Sequence, residues 1–117
     1  MKSSIYDIEK RTYNLSLMMI SFLNMNANDR MQYILKNQLL GSTMSIGANI
    51  IEAKSSSSRK EFCRYYQIAL RSANESKYWL CLLRDGFNVT KDVNSLLNEI
   101  IEISKILATS ILTIRRK

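Results

Sequence analysis

The chain predicts an all-α fold, an up-down-up-down antiparallel four-helix bundle forming one domain over residues 1–117. Three observations carry that expectation. Proline is absent, and folds built on tight turns normally use it, whereas helices joined by short connections do not need it. Apolar residues make up 46% of the chain, enough for one core and too many for a disordered tail. They recur at helical spacing in four stretches, separated by short polar breaks.

The first helix is expected over about residues 4–25, with Ile5, Ile8, Thr12, Leu15, Met19, Phe22 and Leu23 on one face. Its run LSLMMISFLNM is too short and too polar to cross a membrane. Asp7 and Glu9 precede it and no small-residue cleavage site follows, so it does not read as a signal peptide. NMNAND then breaks the pattern, and Asn28 or Asp29 can cap a second helix that runs to about residue 54. Met31, Leu35, Leu39, Ile46 and Ala53 fall on its inner side. The serine run 55–58 reads as a tight turn, because Ser58 and Glu61 stand in capping-box spacing and a helix follows at once. The third helix, about 59–84, presents Phe62, Tyr65, Ala69, Ala73, Ser76, Leu80 and Leu83, with Trp79 alongside, and Gly86 is placed to be a left-handed C-cap. Thr90 caps the fourth helix, about 91–114, with Asp92 in its first turn and Arg115, Arg116 and Lys117 at its end, as the helix dipole favours. Its apolar residues cover more than one stripe. Either they fill the core of a monomer, or the surplus, with Leu97, Ile101, Ile103 and Leu112 foremost, is an interface with other subunits.

Net charge is +7, which suits an acidic partner, nucleic acid being the commonest, and suits an ordinary basic soluble protein equally. Histidine is absent, and two cysteines, Cys63 and Cys81, lie too far apart on one helix to bridge. No metal site and no cofactor are expected. The cysteines read as reduced packing residues of a cytoplasmic protein.

The stretch GSTMSIGANIIEAKSSSSRKEF, residues 41–62, concentrates weak helix formers inside helical sequence. Each internal glycine costs about 1 kcal/mol relative to alanine, so Gly41 and Gly47 need a reason. Close approach of the second and third helices supplies one. Gln38, Ser42, Ser45, Asn49 and Glu52 recur at spacings of 4, 3, 4 and 3, and with Glu75 they read as an internal hydrogen-bond network, a subunit interface or channel, or a small-molecule site. On the third helix Lys60, Arg64, Gln67, Arg71, Asn74 and Tyr78 share one angular position. Such a stripe, with Arg115 and Arg116 at the chain end, can track phosphates while Tyr78 stacks on a base; it can equally be a solvated face. Chemistry is poorly served: without histidine the base would be Glu52, Glu61 or Glu75, and GSTMSIG lacks the ending of a phosphate loop. The chain is therefore not expected to be an enzyme.

The segments QLLGSTMSIGANIIEA (38–53), SRKEF (58–62) and QIALRSANESKYWLCLL (67–83) resemble the four helix bundle protein family, which includes proteins encoded by intervening sequences of bacterial large-subunit ribosomal RNA genes. The resemblance implies a homo-oligomer, commonly a pentamer, with a nucleic-acid role suggested by genetic context and no established catalysis. Ser45, Asn49, Glu52, Glu75, Tyr78 and Trp79 are its pattern positions. Gly41 stands where the family usually has arginine and Ser72 where glutamate is frequent. The leading expectation is a homo-oligomeric bundle that binds RNA or DNA, without membrane contact. The alternative is a protein-binding adaptor, similar to the small basic helical accessory proteins of diversity-generating retroelements, whose partner is a reverse transcriptase or another nucleoprotein.

Overall fold

The computed structural model describes residues 4–24 and 29–116. The side chain of Ile5, the cap candidate Asn28, Met25 at the expected end of the first helix, and Lys117 lie outside what it describes. Four helices make up the fold: α1 (Ser4–Leu23), α2 (Arg30–Lys54), α3 (Arg59–Phe87) and α4 (Val93–Arg116). Among the described residues there is no strand. The contacts form a closed cycle, most extensive between α2 and α3, then α3 and α4, then α1 and α2, and least between α1 and α4. The rod measures 49 × 24 × 19 Å, with its long dimension close to the roughly 43 Å of a 29-residue helix.

Local chemistry fixes the helix ends. Asp29 caps α2, its carboxylate accepting from the Gln32 amide at 3.0 Å. Ser58 caps α3, its hydroxyl accepting from the Glu61 amide at 3.0 Å. Glu61 completes the box one residue early, on the Ser57 amide at 2.8 Å rather than on Ser58. At the other end Gly86 is not the cap. α3 runs on through Phe87, which packs against the core, and Asn88 takes the left-handed conformation at φ 57°, ψ 30°. Asparagine tolerates that region nearly as well as glycine. α4 starts two residues later than expected, after Asp92 at φ 65°.

The core gathers Ile8, Leu15 and Met19 from α1, Leu39, Ile46 and Ile50 from α2, Tyr66, Leu80 and Leu83 from α3, and Ile100, Ile103 and Leu107 from α4. Each such side chain contributes roughly 1.5–3 kcal/mol by leaving water. On α3 the inner positions are Cys63 and Tyr66, one residue on from the expected Phe62 and Tyr65, which are half-buried; Phe62 stacks on Tyr66 with centroids 4.6 Å apart. Burial, followed by the charge of Glu9, pushes the Tyr66 phenol up to about 12. No described protein group bonds its hydroxyl. Met31, expected inside, is exposed because α2 is only beginning there.

α4 requires a larger correction. Leu97 and Ile103 are buried within the chain and cannot be an interface with other subunits; of the expected set only Ile101 and Leu112 are exposed. α4 packs on both α3 and α1, and its extensive packing on α3 buries a wider arc than α1, whose two seams are the least extensive, can bury. The large exposed apolar side chains lie mostly on α1 and α2. Tyr13, Leu17 and Ile20 recur at spacings of 4 and 3 on α1, and Tyr33, Met44 and Ile51 share a side of α2. Between the two helices is a cavity of about 430 Å³, lined among others by Thr12, Tyr13, Met44, Gly47 and Ile51. α1 is held polar-side by Arg11, which donates two bonds to Glu99 of α4 at 3.0 and 2.8 Å, and by Glu9 against Lys54 of α2 at 3.2 Å. No helix among the described residues is long and apolar enough to cross a membrane.

Candidate nucleic-acid interface

The α2–α3 seam is where the small polar residues went. The Ser42 and Ser76 hydroxyls lie 2.7 Å apart, and Thr43 donates to Ser76 at 3.3 Å. One turn along, Ser72 donates to Ser45 at 2.9 Å, and the Asn49 amide donates to the Ser45 hydroxyl at 3.1 Å and its carbonyl at 2.8 Å. Ser42, Ser45 and Asn49 thus belong to a network completed by Thr43, Ser72 and Ser76. Gln38, Glu52 and Glu75 do not: all three are exposed, and none makes a bond to this network among the described residues. A short hydroxyl fits between two close helices, whereas a long amide or carboxylate at the seam's rim reaches water and keeps its solvation. Gly41 and Ala48 are also exposed, so the close approach is made by serines and not by glycine. Gly47 faces α1, where an added Cβ would meet Thr12 at 3.5 Å.

The seam is closed, which leaves the outer side of α3 as the chemically distinctive surface. Lys60, Arg64, Arg71, Asn74 and Tyr78 are exposed and Gln67 is half-buried, at spacings of 4, 3, 4, 3 and 4. The stripe extends about 27 Å along the helix. Tyr78 is 60% exposed, and its ring is held edge-on against Trp79 with centroids 5.3 Å apart, which leaves a positioned aromatic surface. At the other end the Arg64 guanidinium lies over the Tyr65 ring, 5.2 Å from its centroid. There the stripe opens into a cavity of about 490 Å³ between α3 and α4, lined by Arg59, Lys60, Cys63, Arg64, Gln67, Ile114 and Arg115.

The fold therefore brings Lys60, Arg64 and Arg115 together, leaves Arg71 and Tyr78 further along the same face, and leaves exposed Arg116 outside the cavity lining. Arg59 was missed by the sequence reading. Its signal was its position: two cations in the first turn of a helix, where acidic residues are favoured, need a compensating reason. Among the described residues none of Arg59, Lys60, Arg64, Arg71 and Arg115 is paired with a carboxylate. Arg84 in the last turn of α3 is: it bonds Asp85 at 2.8 Å, and that bond holds the Asp85 carboxyl below its ordinary range. Cys63 and Cys81 are free thiols, and among the described residues no cluster of His, Cys, Asp and Glu could hold a metal ion.

Comparison with known proteins gives the family and the fold. The model of the 23S rRNA-intervening sequence protein family matches residues 6–109, and the chain belongs to that family. Its fold is similar to the crystal structure of a protein of unknown function from the S23 ribosomal protein family of Bacteroides thetaiotaomicron VPI-5482. The TM-score is 0.85 at 31% identity, covering 93% of this chain and 98% of the other. Among curated proteins none matches.

Proposed function

We propose that the chain is a non-enzymatic, cytoplasmic, homo-oligomeric bundle of up-down-up-down antiparallel helices that binds nucleic acid along the outer face of α3 and the end of α4. The observation that carries this is the row of cations on that face, none of them neutralised by a carboxylate among the described residues. Unpaired cations repel one another, and a phosphate backbone removes that repulsion while releasing counterions. The family's name, which refers to an intervening sequence of 23S rRNA, agrees with an RNA partner.

Assembly is assigned to the α1–α2 face and not to α4. Tyr13, Leu17, Ile20, Tyr33, Met44 and Ile51 are each 44–65% exposed. At roughly 100 Å² apiece they offer on the order of 600 Å², close to the ~800 Å² per partner of a standard interface. A pentamer, the form that the family resemblance implies, would repeat the basic face in each copy and multiply weak contacts.

The test is a mobility-shift titration with RNA and with DNA across a salt series, on wild type and on the triple variant Lys60→Gln, Arg64→Gln, Arg71→Gln. The variant is expected to fold normally and to bind more weakly, with a salt slope shallower by roughly 2–3, about 0.7–0.9 per lost phosphate contact. Sequence preference is expected to stay unchanged, because phosphate contacts position without specifying. If wild type binds neither polymer in low salt, the nucleic-acid reading falls. The exposed apolar face would then favour the adaptor reading, with a protein such as a reverse transcriptase as partner.

A further inference from the structure

We propose that the cavity between the first turns of α3 and the last turn of α4 is a binding site for a phosphate monoester, the terminal phosphate of a nucleic-acid strand or that of a free nucleotide. The inference rests on the nucleic-acid reading of the α3 face and singles out one end of it.

Charge is the first argument. Arg59, Lys60, Arg64 and Arg115 converge on the cavity from two helices, and among the described residues no carboxylate side chain lines it. The acid nearest in sequence, Glu61, is engaged by the Ser57 amide at 2.8 Å. A phosphate within a strand carries a single negative charge, whereas a monoester carries about −1.5 to −2 at neutral pH. Four cations with no carboxylate partner among the described residues, around one concavity, match the more highly charged group. Further along, at Arg71, the same face is open and offers one cation at a time, as suits a passing strand.

Shape is the second. The cavity has a floor: Cys63 is only 8% exposed and Ile114 is half-buried. That floor lets a compact terminal group sit between the cations of the two helices instead of passing over them. A volume of about 490 Å³ is within the usual range of small-molecule sites, roughly 300–1,000 Å³, and exceeds what a bare ion needs. The third argument is positioning. The Arg64 guanidinium lies over the Tyr65 ring, 5.2 Å from its centroid, a contact that favours its place beside the cavity and leaves N–H donors for phosphate oxygens. Arg59 and Lys60 stand at the positive end of the α3 dipole, an unfavourable place for cations that a bound dianion makes favourable.

The experiment compares one oligonucleotide sequence carrying a phosphate at its 5′ end, at its 3′ end or at neither, together with titration calorimetry of adenosine 5′-monophosphate, on the full chain. A phosphorylated end is expected to tighten binding, and the gain is expected to vanish in Arg64→Gln with Arg115→Gln and to persist in Arg71→Gln. Loss of each charge-assisted hydrogen bond reads as about tenfold in affinity. Helix content and melting of the double variant are checked, and Arg59→Gln gives a second, single-site version. Equal affinity for all three ends together with no saturable mononucleotide binding overturns the inference; strand binding that keeps its salt slope would then leave the broader reading standing. Mononucleotide binding that needs Arg64 and Arg115, with no strand bound at any salt, sustains the site for a free nucleotide and removes the strand reading.

Discussion

α2 is packed on two sides, and the two sides are made differently. Toward α3 it meets a hydroxyl ladder, with Ser42 on Ser76 at 2.7 Å and Ser45 accepting from Ser72 at 2.9 Å. Toward α1 it presents Gly47 and Ala48, leaves Met44 and Ile51 half in water, and borders a cavity of about 430 Å³. The first seam is closed by short directional bonds. The second is held at its polar edge, through Glu9 and Lys54, and left open on its apolar side. A helix that closes one seam and leaves the next open exposes apolar surface on its second side, the surface proposed for assembly.

The largest effect is expected where the open seam is made charged. Leu17→Glu with Met44→Glu is expected to reduce the light-scattering mass from that of an oligomer to the 13.6 kDa of one chain. Ile101→Glu with Leu112→Glu on α4 is expected to leave the mass unchanged. If the α4 pair dissolves the assembly and the α1–α2 pair does not, the assignment of the two faces is reversed.

Tyr66 reports how well the core is closed, because burial raises its phenol most and the charge of Glu9 on α1 adds to the rise. The phenol is raised from 10.0 to about 12, so the folded state holds the proton more tightly than the unfolded one. Its contribution is full below pH 10 and is lost as pH rises through 12, at most about 1.4 kcal/mol per pH unit and roughly 2.7 in all. Urea midpoints of wild type are expected to fall more steeply across pH 10–12 than those of Tyr66→Phe. Equal slopes would mean that water reaches the phenol and that α1 docks loosely.

Within the closed seam, Ser76→Ala is expected to cost about 1–3 kcal/mol, since it leaves a buried hydroxyl of Thr43 without its acceptor. Glu52→Leu, at the exposed rim, is expected to stay within about 0.5 kcal/mol. Thermal melts of the two variants separate the inner ladder from its rim; similar costs would put Glu52 back in the network.

The smallest expected effects are gains. An alanine Cβ at Gly41 meets nothing within 4 Å, and at Gly47 it meets Thr12 at 3.5 Å, an ordinary contact. Gly41→Ala and Gly47→Ala are each expected to stabilise the chain by up to about 1 kcal/mol, read from denaturant midpoints. A loss at 47 would show that α1 lies closer to α2 than the open seam implies.

Helix number and order were legible because apolar period and caps are local signals: Asp29, Ser58 and Glu61 act as capping residues within a residue of where spacing put them. The hydroxyl ladder was half legible. Ser42, Ser45 and Asn49 share a face, but burial separates them from Gln38 and Glu52 on that same face, and burial depends on how the partner helix crosses. The apolar excess of α4 was misleading for a similar reason. One helix read alone does not reveal how extensively each neighbour covers it, and the exposed apolar surface belongs instead to the helix that packs least, α1, and its neighbour. The basic stripe was legible as a face, but its cavity needed Arg115 from the far end of the chain.

The ladder holds more hydrogen bonds than protons. Ser42 reaches the Leu39 carbonyl, Ser76 reaches the Ser72 carbonyl, Thr43 reaches Ser76, and Ser42 and Ser76 reach each other. Three hydroxyls carry three protons for those four bonds. Either Ser42 turns from its carbonyl to donate across the seam, or Ser76 does, and both orders leave every proton with an acceptor. The two orders use different carbonyls, at 3.2 and 2.9 Å, so RT ln 2, roughly 0.4 kcal/mol, is an upper bound on the entropy they keep. One arrangement of heavy atoms thus accommodates either order of protons. A mutation that removes Ser42 also leaves each remaining proton an acceptor, so the two serines that face each other are not equal in cost.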